Sequence, residues 1–239
     1  MLPLRDELPT RSVPSVNYAL IALNVLVFGI EVVTLGPDAG SAESAAPPLA
    51  LVAAQFLAHP LANLPSLFGH MFLHGSVAHV AGNMLFLGIF GDNVEDALGH
   101  ARYAFFYVAC GLAAAFAQIA VDPHSTVPMI GASGAISGVL AAYALLYPRS
   151  PIKVVNPIPL MWIFWGFFMW LPAWFVIIEW FAANLWNAFQ PTNPAGGVAF
   201  AAHVGGFVAG LILLPVMRVY EAFEYDAWDR FLGPRLGRS

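Results

Sequence analysis

Six long apolar stretches, with the chain's cations gathered on one side of them, are the feature that most restricts the fold. They run over residues 17–35, 77–90, 101–121, 133–147, 160–181 and 200–216. A bilayer core about 30 Å thick takes about 20 apolar residues at about 1.5 Å rise each. The second and fourth stretches are short by that measure. The nine cations are Arg5, Arg11, Arg102, Arg149, Lys153, Arg218, Arg230, Arg235 and Arg238. In a six-span arrangement all of them fall in the N-terminal tail, the second–third loop, the fourth–fifth loop or the C-terminal tail. Those four segments share one side and the opposite side holds no cation, which by the positive-inside rule puts both termini in the cytoplasm.

Composition closes off the alternatives. Hydrophobic residues make up 59% of the chain and charged residues 10%, against roughly 25% charged in a soluble domain. Mean hydropathy is +0.73. A soluble globule has no means of hiding that much apolar surface, so a cytosolic enzyme, a nucleic-acid binder and a disordered chain are excluded. The lone Cys110 permits neither an intrachain disulfide nor a cysteine metal cluster. The expectation is an all-α, six-span protein of the lipid bilayer with one domain. Residues 1–16 form a cytoplasmic tail, 17–218 the six-span body with an outer loop over about 36–76, and 219–239 a charged cytoplasmic tail. The outer loop carries Pro47, Pro48, Pro60 and Pro65 and reads as a structured segment lying partly in the membrane interface. Residues 149–159 read as a short cytoplasmic link, and 186–198 as a flexible outer loop. No internal repeat is visible, which weakens a transporter reading.

Polar groups inside spans carry the functional information. The second span holds His79 and Asn83, with His70 and His74 just before it. The fourth opens with Gly131-Ala132-Ser133-Gly134 and carries Ser137. The sixth carries Ala202-His203-Val204-Gly205-Gly206. Singly, each has an ordinary explanation: a membrane-helix serine bonds its own backbone, and Gly-x-x-x-Gly packs helices. Depth joins them. Counted from the cytoplasmic markers Arg149 and Arg218, Ser133 stands about 24 Å and His203 about 22 Å above the inner interface. His79 falls at about 20–26 Å and Asn83 at about 14–20 Å, so a tilted or bent helix is needed to bring Asn83 into reach. Gly134, Gly138 and Ala142 line one helix face; Gly206 and Gly210 share a face with His203. Two such stripes allow backbones close enough for a serine hydroxyl to meet an imidazole at about 2.6–3.2 Å. Ser133 opens a helix, where free N–H groups favour an oxyanion, and His79 and Asn83, one turn apart, add side-chain donors.

Together these motifs resemble the rhomboid family of intramembrane serine proteases. Gly131-Ala132-Ser133-Gly134 looks like the family's nucleophile motif, and Ala202-His203-Val204-Gly205-Gly206 with Gly210 like its base-bearing helix. His70, His74, His79 and Asn83 match its spacing before and into the second helix. The stretch from Met71-Phe72-Leu73-His74-Gly75-Ser76 through Phe90-Gly91-Asp92-Asn93-Val94-Glu95-Asp96 looks like a bacterial subgroup. The resemblance implies a Ser133–His203 dyad and an oxyanion site from the Ser133 N–H, His79 and Asn83. It also implies cleavage of transmembrane protein substrates near their outer end, without metal or cofactor, in a bacterial inner membrane. By analogy the fifth span, with its row of aromatic residues, is a lateral gate and the 186–198 loop a cap. Two departures stand out. Ser137 occupies a position where some members stack an aromatic ring on the base, and the outer loop lacks a Trp-Arg pair.

A catalytically inactive rhomboid-like protein that binds membrane helices is the alternative; the intact Ser–His pair argues against it. A channel needs a polar path, and the half of the bundle below Asn83 has none. A metal site built on His70, His74 and His79 lacks carboxylates or thiols at ligand spacing. Glu31 and Glu179 sit near the outer ends of their spans and are expected to snorkel to the interface.

Overall fold

In lipid every backbone polar group must find its partner within the protein, which drives apolar segments into helices. The computed structural model describes residues 1–36, 47–188 and 200–217. It opens with a strand, β1 (Leu2–Arg5), followed by the apolar helix α1 (Ser15–Leu35). Two short helices, α2 (Ala53–Ala58) and α3 (Ser66–Gly69), and a single turn over His70–Phe72 lead into α4 (Val77–Leu98). Then come α5 (His100–Val121) and α6 (Ser133–Leu146). Strand β2 (Pro151–Val155), a one-turn helix α7 (Trp162–Trp165) and strand β3 (Phe168–Pro172) precede α8 (Ala173–Ala188) and α9 (Phe200–Met217).

Helices α1, α5 and α9 are long and apolar enough to cross a bilayer. The segment Ser66–Phe72 qualifies jointly with α4, at a bend of 92°. Helices α6 and α8 are shorter, at 14 and 16 residues. At about 1.5 Å per residue, α6 reaches only about 21 Å. It is the central helix, buried from Gly134 to Tyr143, so most of its length meets protein and not lipid. The tail over 218–239 lies outside the described residues, as do positions 37–46 and 189–199 of the two outer loops.

Three expectations change. The chain is mostly helical but not all-α, because β1, β2 and β3 form an antiparallel sheet in that order, with Leu2 opposite Val155 and Ile152 opposite Leu171. Residues 1–16 are therefore no free tail, and 149–159 no simple link. The stretch 160–181 is not one helix either. Gly166 takes φ +78°, and Pro172 has no N–H to give a helix continuing from the strand. Helix α8 starts only at Ala173, whose N–H is taken by the Ser150 carbonyl at 2.8 Å. Glu179 consequently lies in the first half of α8, where it reaches the Met1 amino nitrogen at 3.1 Å instead of snorkelling outward.

The N-terminal segment is held by buried polar contacts. Glu95 accepts from the N–H groups of Val16 and Asn17, at 3.0 and 2.7 Å, placing negative charge at the start of α1 where the helix dipole favours it. Asn17 donates to the Leu87 carbonyl and accepts from Tyr103. Tyr143 donates to Asp6 at 2.6 Å. Burial, reinforced by the nearby Asp92 charge, pushes the Asp6 carboxyl up to about 7 despite that bond.

Helix α9 packs along α5 and α6, and its glycines set the distance. A Cβ on Gly206 would overlap the Gly134 carbonyl, one on Gly210 the Gly138 carbonyl, and one on Gly205 the Ala117 side chain. The two helices α6 and α9 thus run parallel, in a register of 134 beside 206 and 138 beside 210.

Two predictions follow from these contacts. Gly206→Ala forces backbone apart and lowers the thermal unfolding temperature in detergent; Gly88→Ala, whose added methyl meets nothing within 4 Å, leaves it unchanged or raises it. Equal melting of the two variants contradicts the packing. For Asp6, the raised pKa means the folded protein holds its proton more tightly than the unfolded chain. The associated stability is full below about pH 4 and fades as pH climbs through about 7. Wild type should therefore lose stability relative to Asp6→Asn between about pH 4 and 7, with a constant gap above that. A gap that does not vary with pH would contradict it.

Candidate active site

The glycine register extends naturally to the residues just before it. Ser133 is the first residue of α6 and His203 lies in the first turn of α9. Carbonyl-to-glycine contact at 134 and 206 brings these two side chains together: Ser133 Oγ stands 2.7 Å from His203 Nε2. His203 is buried, and its other ring nitrogen, Nδ1, meets Asn184 Oδ1 of α8. Trp180 of α8 and Phe200 flank the ring, with centroids 5.7 and 6.2 Å away.

The turn that presents Ser133 is pinned from outside the helices. Leu51 and Met129 exchange backbone hydrogen bonds at 3.1 and 2.8 Å, and Gly131 N–H donates to the His70 carbonyl at 2.8 Å. Gly131 adopts φ +118°, a conformation that side chains resist. There is no room for one in any case: a methyl there would stand 2.8 Å from His79 Nε2 and 3.7 Å from Asn83 Nδ2. Both residues therefore border the Gly131 turn beside Ser133, including Asn83, which the depth count alone left in need of a tilt.

Each of these donors has a support. Ser76 caps α4 by accepting from the His79 N–H at 3.1 Å. The Asn83 amide donates to His74 Nε2 at 2.9 Å, and His74 Nδ1 faces the Phe72 carbonyl at 3.3 Å. His74 is thereby the neutral Nδ1–H tautomer, since only a bare Nε2 accepts from an amide. His70 Nδ1 bonds the Ser66 carbonyl at 2.9 Å, so that ring braces the turn and not the Ser133 side. Ser137 spends its hydroxyl on the Ser133 carbonyl at 2.6 Å. It does not touch the base; Trp180, Phe200 and Asn184 hold His203 instead. Among the described residues no group of three His, Cys, Asp or Glu side chains is disposed to hold a metal ion.

Two residues were not anticipated in these roles. Asn184 fell beyond the expected end of the fifth span at 181, although a lone amide in an apolar run was the available signal. Glu31 does not snorkel. It is 5% exposed and its Oε2 accepts from the His74 N–H at 3.1 Å, which ties α1 to the segment leading into α4. Depth counting locates a residue along the membrane normal but not the face of the helix it occupies.

Chemically, the arrangement offers a hydroxyl beside a ring nitrogen that accepts its proton, at the open N-terminus of a helix, with amide and imidazole donors alongside. That is the equipment for nucleophilic attack on a carbonyl and for holding the oxyanion that results.

A family model described as Rhomboid domain matches residues 62–219. The chain is 29% identical over 152 residues to "Rhomboid protein 1, mitochondrial" of Saccharomyces cerevisiae, covering 62% of this chain and 40% of that protein. It is 30% identical over 156 residues to "Rhomboid protease AarA" of Providencia stuartii, covering 60% and 52%. It is 41% identical over 75 residues to "Rhomboid protease GluP" of Bacillus subtilis, covering 31% and 14%. The matches span about half or less of each of these relatives.

The Glu31 contact yields a direct test. Glu31→Gln keeps an acceptor for the His74 N–H and should melt near wild type. Glu31→Leu strands that buried donor, at a cost of about 1–3 kcal/mol, and should unfold at lower temperature or denaturant concentration. A Leu variant as stable as the Gln variant would contradict the role assigned to the carboxylate.

Proposed function

The chain belongs to the rhomboid family, and from that premise we propose that it is a serine endopeptidase which cuts transmembrane segments of membrane proteins near their outer end. The observation that carries this reading is the 2.7 Å approach of Ser133 Oγ to His203 Nε2 across the glycine contact. Ser133 attacks the peptide carbonyl carbon while its proton passes to His203 Nε2. The oxyanion accepts from the Ser133 N–H, His79 and Asn83. His203 returns the proton to the leaving amine, and a water activated by the same nitrogen then releases the acyl-enzyme. Gly131, Gly134, Gly138, Gly206 and Gly210 hold the geometry, and His70, His74 and Ser137 support the turns that carry it.

The membrane arrangement belongs to the same proposal. Six spans with both termini in the cytoplasm put Arg5, Arg11, Arg102, Arg149 and Lys153 on one side, as the positive-inside rule requires. The three-stranded sheet then lies at the cytoplasmic end and Ser133 toward the opposite face. Residues 17–218 form the catalytic body, seated in a cell membrane. Helix α8 stands where the family resemblance puts the lateral gate. A helical substrate hides its carbonyls, so segments containing glycine or other weak helix formers are the preferred class.

The test is cleavage in proteoliposomes containing purified protein and a panel of single-span substrates with and without glycine near the outer end. Cleavage is expected in the glycine-containing segments, with Ser133→Ala and His203→Ala lowering the rate by on the order of 10³-fold or more. Undiminished cleavage by Ser133→Ala, or none by wild type across the panel, would overturn the reading.

A further inference from the structure

Asn184 donates its amide Nδ2 to the Trp180 carbonyl one turn earlier on α8, at 2.8 Å. That bond decides which way the amide faces. Turned over, Asn184 would set its own oxygen against the Trp180 carbonyl oxygen, two acceptors with no proton between them. The remaining oxygen, Oδ1, therefore points at His203 Nδ1. A carboxamide oxygen only accepts, so Nδ1 must carry the proton. In a neutral imidazole Nε2 is then bare, and Nε2 is the atom 2.7 Å from Ser133 Oγ.

We propose that Asn184 is a positioning residue that locks His203 in the Nδ1–H tautomer, leaving Nε2 free to accept the Ser133 proton. A free neutral histidine side chain in water favours the opposite, Nε2–H form, which would present a donor to the serine and block the transfer. During attack the serine proton moves to Nε2 while Nδ1–H stays on Asn184 Oδ1; Asn184 itself exchanges no proton. An amide does this work without the burden of a carboxylate charge buried in the membrane. Because the two side chains ride on different helices, the orientation of the base depends on how α8 is seated against α9. The Ser137 departure bears on the same point: with no aromatic ring at that position and its hydroxyl committed to the Ser133 carbonyl, the ring is fixed from the α8 side.

This inference rests on the protease reading only for its consequence, so the test separates the two. Full-length protein labelled with nitrogen-15 histidine is studied in detergent micelles above neutral pH, the His203 ring signals being assigned by their loss in His203→Ala. Wild type should show a protonated Nδ1 and a bare Nε2. Asn184→Leu should move the population toward Nε2–H and slow labelling of Ser133 by a fluorophosphonate about 10–100-fold. Asn184→Asp, which retains the acceptor, should restore both. An Nε2–H ring in wild type, or an Asn184→Leu protein with unchanged tautomer, would overturn the inference, and the wild-type spectrum decides even if the Leu variant does not fold. An Nδ1–H ring in a protein that fluorophosphonate fails to label would support the tautomer lock while contradicting the protease reading.

Discussion

The contact between the backbones of α6 and α9 is the constraint on which the site depends. In lipid there is no hydrophobic gain from pressing two apolar helices together, so association relies on close van der Waals packing and on small residues that permit it. Gly206 against the Gly134 carbonyl and Gly210 against the Gly138 carbonyl supply that packing at two successive turns. Side chains of ordinary size at these positions would part the helices by more than a serine hydroxyl can bridge. The same glycines are therefore both the fold's adhesive and the ruler that sets Ser133 against His203. Gly205, facing Ala117 on α5, keeps α9 from rotating away from that register.

Around this contact, polar groups are handed from partner to partner. At the sheet end, Glu95 closes the start of α1 and Asn17 links α4 to α5 through Leu87 and Tyr103. At the opposite end, Glu31, His74 and Asn83 form a chain that reaches from α1 to the Gly131 turn. A buried group left without a partner is costly in low dielectric, and Asn17 and His74 meet that cost by bonding more than one partner. Donors fixed in this way are what the proposed stabilisation of an oxyanion requires.

Much of this was legible in the sequence because packing and chemistry draw on the same residues. The glycine stripes, the serine at a helix start and the histidine one turn before Gly206 were visible as a pattern of small and polar residues in apolar runs. Helices α1, α5, α6 and α9 begin and end within two residues of where hydropathy put them. The strands were not legible. Phe168–Pro172 is as apolar as a span, and only Gly166 and Pro172 hinted at a break. Misplacing the start of the fifth helix also hid Asn184, which fell past its supposed end. Glu31 was misjudged for a different reason. Hydropathy and residue count report depth, whereas its hydrogen bond to His74 depends on which face of α1 turns inward.

The most direct measurement is an experimental structure of the protein after reaction with a phosphonate inhibitor. Phosphorus should be bonded to Ser133 Oγ, with the phosphoryl oxygen lodged by the Ser133 N–H, His79 and Asn83. Phosphorus on another residue, or a phosphoryl oxygen directed away from His79 and Asn83, would contradict that arrangement.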